Sequence, residues 1–403
     1  MKRFLTRFTA LLGLTLLLTN VSCTRSTQAL RIIRPADAPT DSVLPEVMQA
    51  VYDEVKTPYK YGLVVAPQDN FHKFDCPTVF RAKGKWYMTY LCYDGRKNKD
   101  GRGYETWLAE SRDLLHWNTL GRLLSFGDDD SWDNSQRGGF AVLGSLDWGG
   151  DASLGTHDGK HWMTYIGGGL PGYETTPLNI GLAWTEGDIT QPHEWQRLEH
   201  PLMPIEADDA QWFEQITQYK SLIYRIPEDF RFAGHVADSA SYMMFYNAAG
   251  RHPQTDVKAE RIGMAFSRDM LHWQRYPGNP IFGHENGMIT ADAYLQRMGD
   301  LYVMFYFGAF WKGKPYDAFN TFACSYDLQH WTEWQGPDLV YPTEAYDNWF
   351  AHKSFLVKYQ GVVYHFYCAV NHDNQRGIAV ATSCDLGQSE VNFPAPEPKK
   401  AKQ

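Results

Sequence analysis

Short apolar and aromatic runs recur along the chain, each bounded by residues that favour turns. Representative runs are GKWYMTY from Gly84, DLYVMFY from Asp300 and GVVYHFY from Gly361. β-Branched and aromatic residues between turn residues are typical of β-strands. The pattern therefore predicts a protein built mainly of strands.

A seven-residue phrase follows several of these runs. It is SRDLLHW at Ser111–Trp117, SRDMLHW at Ser267–Trp273 and SYDLQHW at Ser325–Trp331, with weaker copies at Thr185 and Ser383. Recurrence of this kind indicates a repeat architecture. Because an Asp side chain can hold turn amides and a Trp ring can cover a sheet edge, we interpret the phrase as a structural turn.

Each repeat contains strand, tight turn, strand, loop and strand, and then this turn. Five such units predict an all-β fold, a five-bladed β-propeller. The segment Lys60–Val65 (KYGLVV) is predicted to close the last blade by supplying its outer strand, which would protect the sheet edge.

The innermost strand of each propeller blade lines a central channel. The predicted innermost strands are FDCPTVF, GDASLG, YKSLIYR, ADAYLQR and HKSFLVK. Aligned on the Tyr that ends the following strand, they bring five side chains to one axis: Asp75, Asp151, Lys220, Asp292 and Lys353. Carboxylates crowded in a funnel acquire different pKa values, which creates an acid and a base.

Further candidates lie in loops beside these strands. Glu214 and His352 compete with the three aspartates for the role of catalytic acid. The predicted substrate-binding residues are Lys220, Lys353, Arg137, Trp132, Trp212 and Trp349, since aromatic rings stack on sugars and cations bind hydroxyl or acidic groups. Ion pairing and packing are the structural alternatives for these residues.

Composition narrows the range of partners. The net charge is -9 and 15% of the residues are aromatic, so a nucleic-acid partner is not expected. Beyond Cys23 the five cysteines form no CxxC pair, and neither a metal site nor a disulfide framework is predicted.

The first 23 residues resemble an export signal. Basic residues precede the apolar run Leu11–Leu18, which is too short to span a membrane, and TNVSC follows. Cys23 matches the lipidated residue of a bacterial lipoprotein, with plain secretion as the alternative. We therefore expect a periplasmic or cell-surface lipoprotein whose membrane partner is reached through Cys23. Residues 24–58 would form a tether and lead-in, 59–390 the propeller and 391–403 a disordered tail.

The segment FDCPTVFRAKGKWYMTY resembles the first-blade motif of glycoside hydrolase family 43 and of its relatives in families 32, 117 and 130. In that motif, Asp-Pro and an apolar strand precede Gly-x-x-Tyr-Tyr, and the SxDLxHW phrase also recurs in these five-bladed enzymes. Here Cys76 stands between Asp75 and Pro77, and the fourth unit offers Asp292 where the family 43 acid is a Glu.

The resemblance implies an exo-acting, inverting glycosidase that cleaves plant or algal oligosaccharides, either arabinofuranosidase-like or releasing an anhydro-sugar. It implies Asp75 as general base, and the acid of family 117 makes His352 a candidate for proton donor. No cofactor is implied, although some relatives hold calcium in the channel. A non-catalytic sugar-binding propeller and a phosphate-dependent phosphorylase are the alternatives; in the latter, Lys220, Lys353, Arg137 and His352 would hold phosphate.

Overall fold

The structure, a computed structural model, describes residues 26–36, 38, 39, 41–95, 102–230 and 240–396. Within these ranges the regular elements are almost all strands. One helix, α1 (Pro45–Val55), precedes β1 (Tyr59–Val65). The first two groups of strands are β2 (His72–Ala82), β3 (Lys85–Asp94), β4 (Tyr104–Ser111) and β5 (Trp117–Leu124), and then β6 (Gln136–Ala141), β7 (His161–Gly168), β8 (Asn179–Thr185) and β9 (Gln196–Arg197).

Three further groups complete the fold. They are β10 (Thr217–Arg225), β11 (Tyr242–Arg251), β12 (Lys258–Ser267) and β13 (Trp273–Arg275); β14 (Ile289–Met298), β15 (Leu301–Ala309), β16 (Ala318–Ser325) and β17 (Thr332–Glu333); and β18 (Phe350–Tyr359), β19 (Val362–Val370) and β20 (Arg376–Thr382). A short 3₁₀ turn, Trp212–Glu214, precedes β10.

Strands pair antiparallel inside each group and in chain order. The fifth group gains its fourth strand from β1, which pairs with β20 at the far end of the chain. The predicted closure by Lys60–Val65 is thus confirmed, as is the all-β propeller class. Since β1 and β20 are over 300 residues apart in sequence, their pairing ties the two ends of the propeller into one blade.

The repeated phrase forms the predicted turn. Ser111 Oγ accepts the amides of Asp113 and Leu114, and Asp113 Oδ1 accepts the amide of His116 at 2.9 Å. The same bonds recur in the copies that begin at Ser267 and Ser325.

The Trp that ends the phrase packs across a blade boundary. The ring of Trp117 meets Phe366 edge-on at 5.8 Å, and that of Trp331 meets Phe245 at 6.4 Å. Trp117 and Phe366 belong to the first and fifth groups, and Trp331 and Phe245 to the fourth and third. The phrase therefore joins neighbouring blades as well as turning the chain.

The predicted inner strand of the second unit is wrong. The strand that pairs with β7 is β6 (QRGGFA), not the GDASLG segment. A side chain at Gly139 would come within 2.3 Å of Met163 Sδ, so this closely packed strand requires glycine, which strand propensities disfavour. Asp151 lies instead in the exposed loop after β6, where its Oδ1 accepts the amide of Ser153.

The segment assigned to the tether and lead-in contains α1, whose buried residues Met48, Val51 and Val55 pack against the main core. Residues 1–23, including Cys23, lie outside the described residues, and so do residues 397–403 of the tail. Among the described residues, no helix is both long and apolar enough to cross a membrane.

Candidate active site

Bulges in the inner strands aim polar side chains at one cavity. The pairing of β2, β10, β14 and β18 with the next strand breaks register at Asp75/Thr78, Gln218/Ser221, Ala291/Tyr294 and His352/Phe355. Three of these breaks contain a residue with positive φ: Cys76 (46°), Asp292 (57°) and Lys353 (64°). Such bulges redirect side chains and are common beside active sites.

The register shows that Cys76, and not Asp75, is the equivalent of Asp292 and Lys353. Cys76 stands 14 residues before Tyr90, as Asp292 stands 14 before Tyr306. Asp75 is therefore one position further back, equivalent to His352. Both of these side chains are nevertheless buried near the same axis.

The cavity has a volume of about 270 Å³ and receives residues from all five groups. The side chains that carry its chemistry are Cys76, Glu174, Lys220, Asn247, Glu260, Asp292, His352, Lys353 and Arg376. Four of these residues, Lys220, Asp292, His352 and Lys353, were predicted from the sequence, and Cys76 is the neighbour of the predicted Asp75. The other four were not predicted: Glu174, Asn247, Glu260 and Arg376.

Asp75 is a fully buried anion clamped by cations. Its Oδ2 accepts from Lys353 Nζ, Arg376 and the Tyr104 hydroxyl, each at 2.9 Å. Burial alone would raise the pKa of Asp75, but Lys353 and Arg376 outweigh it and hold that pKa well below its usual range. A carboxylate so strongly stabilised is a weak base, and Asp75 does not line the cavity.

Glu174 extends from the loop between β7 and β8 toward the same cations. Its Oε1 lies 3.0 Å from the Tyr104 hydroxyl and 3.7 Å from Lys353 Nζ. The single Tyr104 proton can be donated to Asp75 or to Glu174 but not to both, so this hydroxyl couples the two acids. Lys353 is likewise shared between the two acids.

Glu260, on β12, faces the cavity from another side. It is 9% exposed, and its Oε1 accepts from Asn247 Nδ2 at 2.9 Å. Burial raises the pKa of Glu260 to about 8, and the charges of Glu174 and Asp292 add to the effect. The protonated form of Glu260 is therefore favoured at neutral pH.

Asp292 and Lys220 form the floor of the cavity. Burial raises the pKa of Asp292, against the opposing influence of Lys220. Asp292 is 3% exposed and Lys220 is 2% exposed. Both therefore lie where the sequence placed them, on the channel axis.

His352 lines the cavity as a neutral ring. Its Nδ1 lies 3.2 Å from the Cys368 carbonyl, which can only accept, so Nδ1 carries the hydrogen. Burial and then Lys353 lower the pKa of His352 to about 3. Its other nitrogen is consequently an acceptor, a state that does not favour the predicted role as proton donor.

Asp75, His352 and Cys368 are close enough to be considered as metal ligands. They do not fit the calcium ion that the resemblance left open. Calcium prefers six to eight oxygen ligands, whereas this set offers one carboxylate that already binds Lys353 and Arg376.

Glu214 belongs to a structural motif that recurs in four blades. In each, the Tyr used for alignment contacts an acid that also binds a basic side chain. The sets are Tyr165–Asp133–Arg197, Tyr246–Glu214–Arg275, Tyr306–Glu333–His284 and Tyr367–Asp347–Lys60. Glu214 is fully buried and lies outside the cavity, so its position differs from that expected of a catalytic acid.

The remaining predicted binding residues also lie outside the cavity lining. Arg137 donates to Ser125 O and pairs with Asp133 at 3.2 Å. Trp132 stacks on Tyr165, Trp212 contacts Phe213 and His252, and Trp349 donates to Asp317. These half-buried rings pack against protein partners.

Comparisons with known proteins agree with this fold. Neither a scan against protein-family models nor a search of curated proteins gives a match. Among solved structures, a BT0996 RGII complex and a glycoside hydrolase each share 57% identity, cover 89% of this chain and 100% of their own, and superpose with a TM-score of 0.85. The protein therefore belongs to the glycoside hydrolases.

More distant structures share the fold. A thermostable family 43 glycoside hydrolase is 14% identical over 82% of this chain and 98% of its own, with a TM-score of 0.52. Zg3597, a family 117 glycoside hydrolase of Zobellia galactanivorans, is 14% identical over 83% and 92%, with a TM-score of 0.56. The propeller resemblance predicted from the first-blade motif is confirmed.

Proposed function

We propose that the protein hydrolyses a glycosidic bond in this cavity, with Glu260 as general acid and Glu174 as the second carboxylate. The observation that carries this proposal is the contrast between the two groups. Glu260 is buried with a pKa of about 8, while Glu174 lies 3.7 Å from the Lys353 ammonium. Glycosidic cleavage requires a carboxyl group that can donate a proton and a second carboxyl group in the same site, and these two side chains supply them.

In the proposed reaction, Glu260 donates its proton to the leaving glycosidic oxygen. Glu174 then removes a proton from water as the water attacks the anomeric carbon, which inverts the configuration. Inversion follows the resemblance to families 43 and 117; if Glu174 attacked the carbon itself, the configuration would be retained. NMR of the first product distinguishes the two outcomes.

Asp75 receives a different role from the one first predicted. We assign it to electrostatic support: its charge holds Lys353 and Arg376, and Lys353 in turn faces Glu174. Tyr104 links the two acids directly. Asp75 thus acts through Glu174 and not on the substrate.

The proposed substrate is an oligosaccharide of the RGII type, because a 57% identical protein is found in an RGII complex. Exo action is part of the same proposal and follows the resemblance to families 43 and 117. The composition of residues 1–23 supports action outside the cytoplasm through an anchor at Cys23.

We do not propose phosphorolysis. Of the cations first considered for phosphate, Lys353 is paired with Asp75 and Arg137 with Asp133. Incubation of the enzyme with RGII oligosaccharides, with and without phosphate, tests the proposal. We expect phosphate-independent release of a monosaccharide, and loss of that release in Glu260→Gln and Glu174→Gln. Full activity in either variant would overturn the assignment.

A further inference from the structure

The cavity floor contains a buried ammonium group that no residue of the described ranges pairs with. Lys220 is 2% exposed, and its Nζ has no hydrogen-bond partner among the described residues. The ammonium faces the Phe140 ring, whose centroid is 5.7 Å away. Burying an uncompensated charge is costly, so an ammonium group kept in this state in an enzyme cavity calls for a functional explanation, and ligand binding is one.

An acceptor stands close by but beyond direct reach. The charge of Lys220 acts on Asp292, yet the described residues include no ion pair between them within 4.0 Å. The hydrogen bond that the Asp292 side chain does accept is a long one, 3.9 Å from Cys76 Sγ. A hydroxyl group would fit between Lys220 and Asp292, because its oxygen can accept a hydrogen bond from the ammonium while its hydrogen is donated to the carboxylate.

A second free acceptor lies on the same wall. Asn247 Oδ1 is buried and has no partner among the described residues, while its Nδ2 is occupied by Glu260. The floor thus offers one free donor group and two acceptors around a single space.

Resting on the proposed function, we propose that Lys220 and Asp292 together bind one free hydroxyl group of a neutral glycosyl unit. Lys220 donates to the hydroxyl oxygen and Asp292 accepts its hydrogen, while Asn247 Oδ1 accepts from a neighbouring hydroxyl. The substrate class is therefore a neutral sugar with unsubstituted hydroxyls at these positions, whereas deoxy or O-methylated units would be rejected.

The charges around the floor favour a neutral unit over an acidic one. Lys353 and Arg376 both form ion pairs with Asp75, which leaves Lys220 as the cation without an ion pair among the described lining residues. A carboxylate or phosphate beside Lys220 would also face Asp292 and Glu174. Like charges in a poorly solvated space repel strongly.

The test combines changes in the protein with changes in the sugar. A neutral aryl glycoside that the wild type hydrolyses is compared with its monodeoxy and uronate analogues, in the wild type and in Lys220→Met. In the wild type we expect one monodeoxy analogue to lose about 10- to 100-fold in kcat/KM, the range for a hydrogen bond to a charged group. In Lys220→Met, the same deoxy analogue should lose less than about 3-fold in kcat/KM relative to the parent glycoside. The parent glycoside itself should have a lower kcat/KM with this variant than with the wild type.

Stability separates a binding role from a structural one. Lys220→Met removes an unpaired charge, so its melting temperature should equal or exceed that of the wild type, whereas a structural lysine would lower it. Lys56→Met, on the surface after α1, is the matched control and should change neither measurement. The inference is overturned if Lys220→Met keeps the wild-type discrimination among deoxy analogues, or if the wild type prefers the uronate. Either result leaves the Glu260 assignment intact, since that assignment fails only with Glu260→Gln.

Discussion

Asn247 Nδ2 donates a hydrogen bond to Glu260 Oε1 over 2.9 Å, in a wall where both side chains are buried. Because Oε1 is occupied as an acceptor, the proton of neutral Glu260 belongs on Oε2. The amide also favours the ionised form, and so it moderates the raised pKa of Glu260.

Asn247→Ala should therefore shift the pH profile as well as slow the reaction. Loss of the amide removes an influence that lowers the pKa of Glu260. We expect the alkaline limb of kcat/KM at about pH 8 in the wild type, from the pKa of Glu260, and at higher pH in the variant. A profile measured across the neutral and alkaline range checks this. An unchanged limb, with only a lower plateau, would show that Asn247 does not act on Glu260.

Asp75→Asn should destabilise the fold by about 3–5 kcal/mol, because it leaves Lys353 and Arg376 buried without their anion. Urea unfolding measures the difference, and activity should fall as Lys353 is released from its place near Glu174. Asp151→Asn is the control, since Asp151 is exposed in a loop. Wild-type stability in Asp75→Asn would contradict the clamp.

Glu214→Gln should reduce stability with little effect on catalysis. Glu214 binds Arg275 at 2.8 Å and lies outside the cavity, as the acids of the equivalent Tyr–acid–base sets do. We expect a lower melting temperature and a kcat/KM within about threefold of the wild type, because a group distant from the reacting atoms adds no transition-state contact. A thousandfold loss in a folded variant would restore Glu214 as a catalytic candidate.

The repeated turns should make the protein sensitive to acid. These turns contain Asp113 and Asp269, whose partial burial disfavours the charged carboxylate. Hydrogen bonds from the His three residues later and from the turn amides outweigh burial and hold the pKa values of both aspartates at about 2. A depressed pKa contributes stability above the unfolded value of about 4, and that contribution disappears as pH falls toward about 2. Asp113→Asn/Asp269→Asn should flatten the decline of unfolding free energy across that interval. An equally steep decline would assign acid sensitivity to other groups.

The repeat made the fold predictable from sequence, because SRDLLHW and its copies mark equivalent corners of each blade. The closing strand was also predictable, because Lys60–Val65 has the pattern of a strand but no neighbouring strand in sequence with which to pair. The strand β6 was missed because it contains two glycines, which are untypical of strands; Gly138 packs closely against Leu91 and Tyr104, and Gly139 against Met163.

The proposed catalytic pair was less accessible to sequence reasoning. The alignment considered only innermost strands, whereas Glu174 lies in a loop and Glu260 on a third strand. The resemblance to the first-blade motif favoured Asp75 as the base, although Asp75 is offset by one residue from the position equivalent to Asp292. The offset is real, and it turns Asp75 toward Lys353 and Arg376 while Cys76 meets the cavity. The available signal was Glu260 itself, a glutamate in the strand that leads directly into the SRDMLHW copy of the repeated phrase.

The most direct test of the account is the leaving-group dependence of Glu260→Gln. General acid catalysis contributes about 10²- to 10⁴-fold where the leaving oxygen needs a proton. The account predicts a loss of that size on RGII oligosaccharides, hydrolysis of a dinitrophenyl glycoside within about tenfold of the wild type, and disappearance of the alkaline limb at about pH 8. Equal losses on both substrates, or an alkaline limb that persists in the variant, would contradict the role of Glu260 as the proton donor.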